Sequence, residues 1–221
     1  MTKAARLLVV LSALFGLLYP LTWALPLPPA AAIAAKGAGV GLLALAAALR
    51  ARGTDGWLLA ALLALGALGD VLLEIEFAAG AAAFAAGHVC AIALYLHHRR
   101  RAGPAGWAVA ALLVVAAAAV PGLLLQGRPE QVPFILYGLL LGGMAATAWL
   151  SRFPFLVPLG ATMFVASDIL IAARIGMAGN LLGQNLAIWL LYYAGQVLIF
   201  AGVISSPSEM GRGTRRSLVE G

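Results

Sequence analysis

Five ionisable residues stand in stretches otherwise too apolar to solvate them: Lys36, Asp70, Glu74, His88 and Asp168. Charged groups inside a hydrocarbon layer are costly, so each needs a partner, a water-filled cavity or a task. Asp70 lies fourteen residues beyond Gly56, and Asp168 fourteen beyond Pro154. At 1.5 Å per helical residue both sit ~21 Å from the face where their stretches begin, in the far half of a ~30 Å core. Lys36 falls at a similar level, Glu74 is one turn past Asp70 on the same face, and His88 lies deeper. Asn185, Trp189, Tyr192 and Gln196 recur at spacings of four, three and four, which puts them on one helical face. Two carboxyl groups in an apolar cavity, one of them beside an ammonium, divide their roles: one holds its proton and the other is ionised. Such a pair suits acid-catalysed cleavage of an acetal-like or enol-ether bond. The acid supplies the proton, and the carboxylate steadies the oxocarbenium ion and activates water, as paired carboxylates do in glycosidases. A cavity within one leaflet favours a lipid substrate.

Those residues need elements that carry them through a membrane. Of the 221 residues, 63% are hydrophobic and 10% charged, and mean hydropathy is +1.01. That composition exposes too much apolar surface for a water-soluble globule and excludes a soluble enzyme, a disordered chain and a nucleic-acid binder. Eight segments are long and apolar enough to span: Ala5–Leu25, Ala30–Leu49, Gly56–Glu74, Ala78–Leu96, Gly106–Leu125, Val132–Leu150, Phe155–Ala173 and Gly183–Ile204. The fold class expected is an all-α membrane protein, with eight transmembrane helices in one bundle over residues 1–204. A polar, flexible cytoplasmic tail follows over 205–221. The first segment is longer than the apolar stretch of a signal peptide and lacks a good cleavage site, so it is read as a span.

Lys3, Arg6, Arg50, Arg52, Arg99, Arg100, Arg101, Arg152, Arg212, Arg215 and Arg216 fall on the side of the termini, against Arg128 and Arg174 opposite. Both termini are therefore expected to be cytoplasmic. The run His97-His98-Arg99-Arg100-Arg101 reads as part of this topology signal rather than as a nucleic-acid patch or a metal site. The net charge of +6 has the same origin.

A tandem four-helix repeat is suggested by two ordered matches. Gly69-Asp70-Val71-Leu72-Leu73 in the third span corresponds to Ser167-Asp168-Ile169-Leu170-Ile171 in the seventh, and Ala86-Gly87-His88-Val89 in the fourth to Ala194-Gly195-Gln196-Val197 in the eighth. A four-span repeat preserves orientation, so the axis relating the halves would run along the membrane normal.

Each residue has a plainer reading. The aspartates could pair with cations or cap a broken helix, although two acids at one depth look arranged for a task. Lys36 is more readily a counter-ion than a catalytic amine. Glu76 and Arg174 read as interfacial, the latter snorkelling. His88 and the Tyr192-Tyr193 pair could serve packing, and Cys90 is an inert buried thiol. A single cysteine excludes a disulfide framework and a CxxC site. No GxSxG, HExxH or P-loop occurs.

These residues resemble the pattern of the YhhN family of eight-span membrane proteins, which includes the lysoplasmalogenases. The resemblance rests on Gly69, Asp70 and Leu73; on Gly80, Phe84 and His88; on Phe164, Ser167 and Asp168; and on Tyr192, Tyr193 and Gln196. Their order and span placement agree over nearly the whole chain. Two departures stand out: Lys36 is followed by Gly37 instead of proline, and Ala91 and Ile92 stand where an aromatic often follows the histidine.

The resemblance implies a membrane-embedded hydrolase that cleaves the vinyl-ether bond of a lysoplasmalogen, a lysophospholipid, to a fatty aldehyde and a glycerophospho head group. Asp70 and Asp168 would be catalytic. Lys36, Glu74, His88, Asn185, Tyr192 and Gln196 would tune the pair or hold water and head group. The chemistry requires no metal or organic cofactor. The expected location is multi-pass in a cell membrane, the inner membrane if the Ala/Gly/Leu/Arg-rich composition marks a bacterium. The main rival is a proton-coupled transporter using the same acids, which a cavity open to one side only would disfavour. A lipid-binding protein without turnover is the third reading.

Overall fold

A computed structural model describes residues 2–177 and 182–206, and the sequence-predicted tail from residue 207 onward lies outside them. The described residues form eight helices long and apolar enough to cross a membrane, and no strands. They are α1 Lys3–Leu18, α2 Pro29–Ala48, α3 Thr54–Leu72, α4 Phe77–His97, α5 Pro104–Leu124, α6 Gln131–Trp149, α7 Leu156–Gly176 and α8 Leu182–Ile204. The protein is a multi-pass membrane protein.

The helix ends follow local chemistry. Proline opens α2 at Pro29 and α5 at Pro104, where its missing N–H has no intrahelical role. The Thr2 hydroxyl accepts from Ala5 N at 3.2 Å, and the Glu76 carboxylate accepts from Ala78 N at 2.9 Å, capping α1 and α4. Glu76, read as interfacial, therefore serves α4 directly. The first span departs most from expectation. Pro20 cannot donate into the α-helical ladder, so the chain tightens at Tyr19 into a 3₁₀ turn, Tyr19–Trp23. This swings Tyr19 against Trp189 of α8, ring centroids 4.4 Å apart.

Sequential helices pair as antiparallel neighbours: α1 with α2, α2 with α3, α3 with α4, α5 with α6, and α7 with α8. The second half closes on the first where α4 meets α6 and where α8 meets α2 and α3. α8 is also tied to α1. Trp189 Nε1 donates to Gly16 O at 2.7 Å, and Ser12 Oγ lies 2.9 Å from Tyr193 Oη while donating to Gly39 O. Far from the acids, the buried Asp55 carboxylate at the start of α3 holds His97 Nδ1 at 2.9 Å and His98 Nε2 at 2.7 Å. The histidine run thus fastens the end of α4 to the start of α3, with its three donor residues close enough to share a cation. Beside it the two loops on that face join through a bridge between Arg99 and Ser151.

The hairpins α3–α4 and α7–α8 pack in equivalent register. A Cβ on Gly87 would stand 3.3 Å from Leu62 O and 3.9 Å from Gly66 N, residues eight and four before Asp70. A Cβ on Gly195 would stand 2.7 Å from Gly160 O and 3.5 Å from Phe164 N, residues eight and four before Asp168. The same backbone approach through glycine therefore sets the height of each aspartate relative to its partner helix, as small residues do in membrane helix pairs. This is the register expected from the two ordered motif matches.

Gly195→Val places a branched side chain against the Gly160 carbonyl, and overpacking of this kind costs about 1–3 kcal/mol or more. A fall of several degrees in the detergent melting temperature is expected. Gly183→Val, at a position with open space around it, serves as the control that leaves melting unchanged.

Candidate functional site

The helix ends opposite the N-terminus surround a cavity of about 810 Å³. Its wall takes Lys36 from α2, Asp70 from α3 and Glu74 from the turn that follows it, Tyr137 from α6, Asp168 and Arg174 from α7, and Asn185, Trp189 and Tyr192 from α8. Every one of these lies near the C-terminal end of an odd helix or in the N-terminal half of an even one, so the polar lining gathers at one end of the bundle. Phe84, Phe164 and Tyr192 meet edge to face, with centroids 5.2–5.8 Å apart. Their three rings form an aromatic floor between this cavity and the helices beneath. The volume falls within the range of small-molecule sites.

Asp70 is 2% exposed, and its Oδ2 accepts from Tyr192 Oη at 2.8 Å. Lys36 Nζ donates to Glu74 Oε1 at 2.6 Å, so ammonium and second carboxylate form a pair at the cavity wall beside Asp70. The Lys36 side chain is 13% exposed and that of Glu74 43%, so the pair stands at the edge of the cavity. The expected counter-ion role of Lys36 is thereby given a partner. Gly37 stands where the family pattern has proline, and it packs on α3: a Cβ there would come 2.7 Å from Val71 Cγ2.

Asp168 shares the cavity wall with Tyr137. Ser167 beside it is buried, its Oγ donating to Ile188 O at 3.0 Å, which leaves it a helix-to-helix tie rather than a nucleophile.

His88 and Gln196 are not brought to the cavity wall. Each lies below the aromatic floor and lines a separate pocket of about 20 Å³. His88 Nε2 is 3.0 Å from Tyr137 Oη, and Gln196 Nε2 and Tyr192 Oη both lie against Gly66 of α3. Gln196 shares a helical face with Asn185, Trp189 and Tyr192, but it sits one turn too deep to share their cavity.

Arg174, read as interfacial, lies in the last turn of α7, where its Nη1 donates to Asn185 Oδ1 at 2.8 Å and both line the cavity. Tyr137 was not singled out. A lone tyrosine in the Leu- and Gly-rich α6 has no spacing pattern, and only the need of a buried hydroxyl for a partner marks it.

A single opening thus holds four carboxyl groups, those of Asp70, Glu74, Glu130 and Asp168, with an ammonium and a guanidinium, above an aromatic floor. It can receive an amphiphile with a charged head group and offer it two embedded acids at one depth.

Proteins named lysoplasmalogenase from Mycobacterium bovis (strain ATCC BAA-935 / AF2122/97) and Mycobacterium tuberculosis (strain CDC 1551 / Oshkosh) are each 36% identical over 161 residues. The match covers 66% of this chain and 59% of each relative, so the chain spans less than two thirds of the length of the curated relatives it matches. No solved structure matches. A family model described as the YhhN family matches residues 31–203, which takes in every residue of the cavity from Lys36 to Tyr192. The chain belongs to the YhhN family.

Proposed function

We propose that this protein is a lysoplasmalogenase-like hydrolase that cleaves the vinyl-ether bond of a lysophospholipid by two-carboxylate acid–base chemistry. The observation that carries the reading is the placement of Asp70 and Asp168 on the wall of one cavity open at one end of the bundle. The names of the mycobacterial relatives supply the substrate class.

The reaction balances without an outside reagent. A protonated carboxyl gives its proton to the vinyl carbon remote from oxygen, and the π electrons form the new C–H bond. The adjacent carbon becomes an oxocarbenium ion, which the second carboxylate stabilises across a short, poorly screened distance. Water adds to that carbon and gives up a proton, forming a hemiacetal. Collapse of the hemiacetal breaks the C–O bond to glycerol and releases a fatty aldehyde and a glycerophospho alcohol.

Arg174 and Lys36 suit the phosphate of the head group. A guanidinium offers a planar pair of donors to phosphate oxygens, and Asn185 holds this one in place. The alkenyl chain would lie among the apolar residues of the wall, Phe77, Phe134 and Ile171 among them. With the basic residues gathered at the other end, the cavity faces the outer leaflet, and both termini face the cytoplasm.

The one-ended opening favours hydrolysis over transport. Below the floor, the space between the helices shrinks to the 20 Å³ pocket and the packed core around Leu63, Leu94 and Met144.

Purified protein offered 1-alkenyl and 1-acyl lysophosphatidylethanolamine side by side is expected to release aldehyde from the alkenyl lipid alone. Asp70→Asn and Asp168→Asn should each lower kcat by ~100-fold or more, the usual worth of a positioned acid or base. Retained turnover in both folded variants would overturn the two-acid reading. Arg174→Gln should raise KM for the phosphate-bearing lipid about tenfold with a smaller change in kcat, and a substrate without phosphate should not register the change.

A further inference from the structure

The end of the bundle opposite the acids carries its own group of ionisable side chains. Asp55 stands in the first turn of α3, His97 is the last residue of α4, and His98 caps it. The Asp55 carboxylate is 4% exposed, and its two oxygens face two different rings. Oδ1 lies 2.9 Å from His97 Nδ1, and Oδ2 lies 2.7 Å from His98 Nε2. One donor atom from each of the three residues falls within 4.8 Å of the other two. The histidine run supplies two donors only. The third comes from a residue 42 positions before His97 and reaches it because α3 packs on α4.

We propose that Asp55, His97 and His98 bind a divalent transition-metal ion of the zinc type, which fastens the start of α3 to the end of α4.

The partners of Asp55 are the first argument. An aspartate in the first turn of a helix commonly serves the free amides there. Here the hydrogen-bond partners of the carboxylate, among the described residues, are the two rings. Arg50, Arg52, Arg99, Arg100, Arg101 and Arg152 all stand in the loops at this end. A guanidinium is the usual partner of a buried carboxylate. Yet the ion-pair partners of Asp55 among the described residues are the two histidines. A buried carboxylate between two imidazoles is a donor set that neutral histidines leave without a counter-charge, and a dication supplies it.

The geometry is the second argument. Side chains of adjacent residues diverge, and these two converge because one offers its near ring nitrogen, Nδ1, and the other its far one, Nε2. Bonds of about 2.0–2.2 Å to one ion hold nitrogen and oxygen ligands ~3–4 Å apart. Small turns of the two rings about their χ torsions bring the three atoms to that spacing. His98 is set for this. Its ring lies 4.9 Å from that of Phe153, and its carbonyl accepts from Arg152 N at 2.8 Å. His97 is the open side, with 60% of its side chain exposed, so the ion has a way in and water completes a tetrahedron. Through His98 the ion also steadies the loop between α6 and α7, which carries Arg152.

The donor types choose the metal. Two imidazole nitrogens with one carboxylate suit zinc and its first-row neighbours, whereas magnesium and calcium demand oxygen ligands throughout.

The test uses the full chain without a polyhistidine tag, stripped with EDTA and titrated with ZnCl₂ in detergent. Calorimetry should find one Zn²⁺ per chain with Kd in the micromolar range or below, and the melting temperature should rise by several degrees. MgCl₂ and CaCl₂ should leave it unchanged. His97→Gln removes an exposed ligand at little cost to the fold and should weaken Zn²⁺ binding at least tenfold, as should Asp55→Asn. Asp70→Asn and Asp168→Asn, at the other end of the bundle, should bind Zn²⁺ as the wild type does. Absence of binding overturns the site, as does an equal response to Mg²⁺. So does Zn²⁺ binding that survives both His97→Gln and Asp55→Asn undiminished, or that is lost in the cavity variants instead. A clamp held by hydrogen bonds alone would lower the melting temperature in His97→Gln while neither protein responds to Zn²⁺, and that result overturns it too.

Discussion

The rest of the structure follows from the cost of placing carboxylates at membrane depth. Water is not there to solvate them, and lipid cannot, so each must be supplied with hydrogen-bond donors, a counter-charge or a wet cavity from within the bundle. The protein supplies all three. Tyr192 donates to Asp70. Lys36 and Glu74 bring a compensated pair of charges alongside. The cavity admits water from one end. Each provision demands that helix ends distant in sequence meet at one height. The glycine approaches of α4 on α3 and α8 on α7 set that height to the residue.

The aromatic floor is the second consequence. Phe84, Phe164 and Tyr192 close the space beneath the acids, so that what lies above can be wet while what lies below stays packed. Tyr192 belongs to both layers. Its ring packs in the floor and its hydroxyl serves Asp70. At this position packing and chemistry cannot be varied independently.

Much of this was legible in the sequence because membrane helices make depth a matter of counting. Eight spans, with boundaries mostly within two or three residues, followed from apolar length and breaks at Pro, Gly and charge. The matched depth of Asp70 and Asp168, and the cavity they share with Lys36, Glu74, Asn185 and Tyr192, followed from helical rise. What counting cannot supply is the lateral arrangement of helices. Tyr137 gains its meaning only from α6 lying against α4 and α7, and no interval in the sequence records that. Gln196 was placed on the right face but on the wrong side of the floor, because the floor is made by rings from three different helices. The bond from Arg174 to Asn185 was not legible, because it depends on how α7 and α8 pack. Pro20 was visible, but its effect, a 3₁₀ turn that sets Tyr19 on Trp189, depends on α8 being there to meet it.

The claim at the centre of the account is that an embedded carboxyl protonates the vinyl carbon and water then attacks the oxocarbenium carbon. Turnover in D₂O containing ¹⁸O-water, with the aldehyde reduced as it forms, reads both steps at once. The account predicts one deuterium at carbon 2 of the trapped alcohol and no ¹⁸O in the glycerol hydroxyl. Product without deuterium at carbon 2, or with ¹⁸O in the glycerol hydroxyl, would contradict it.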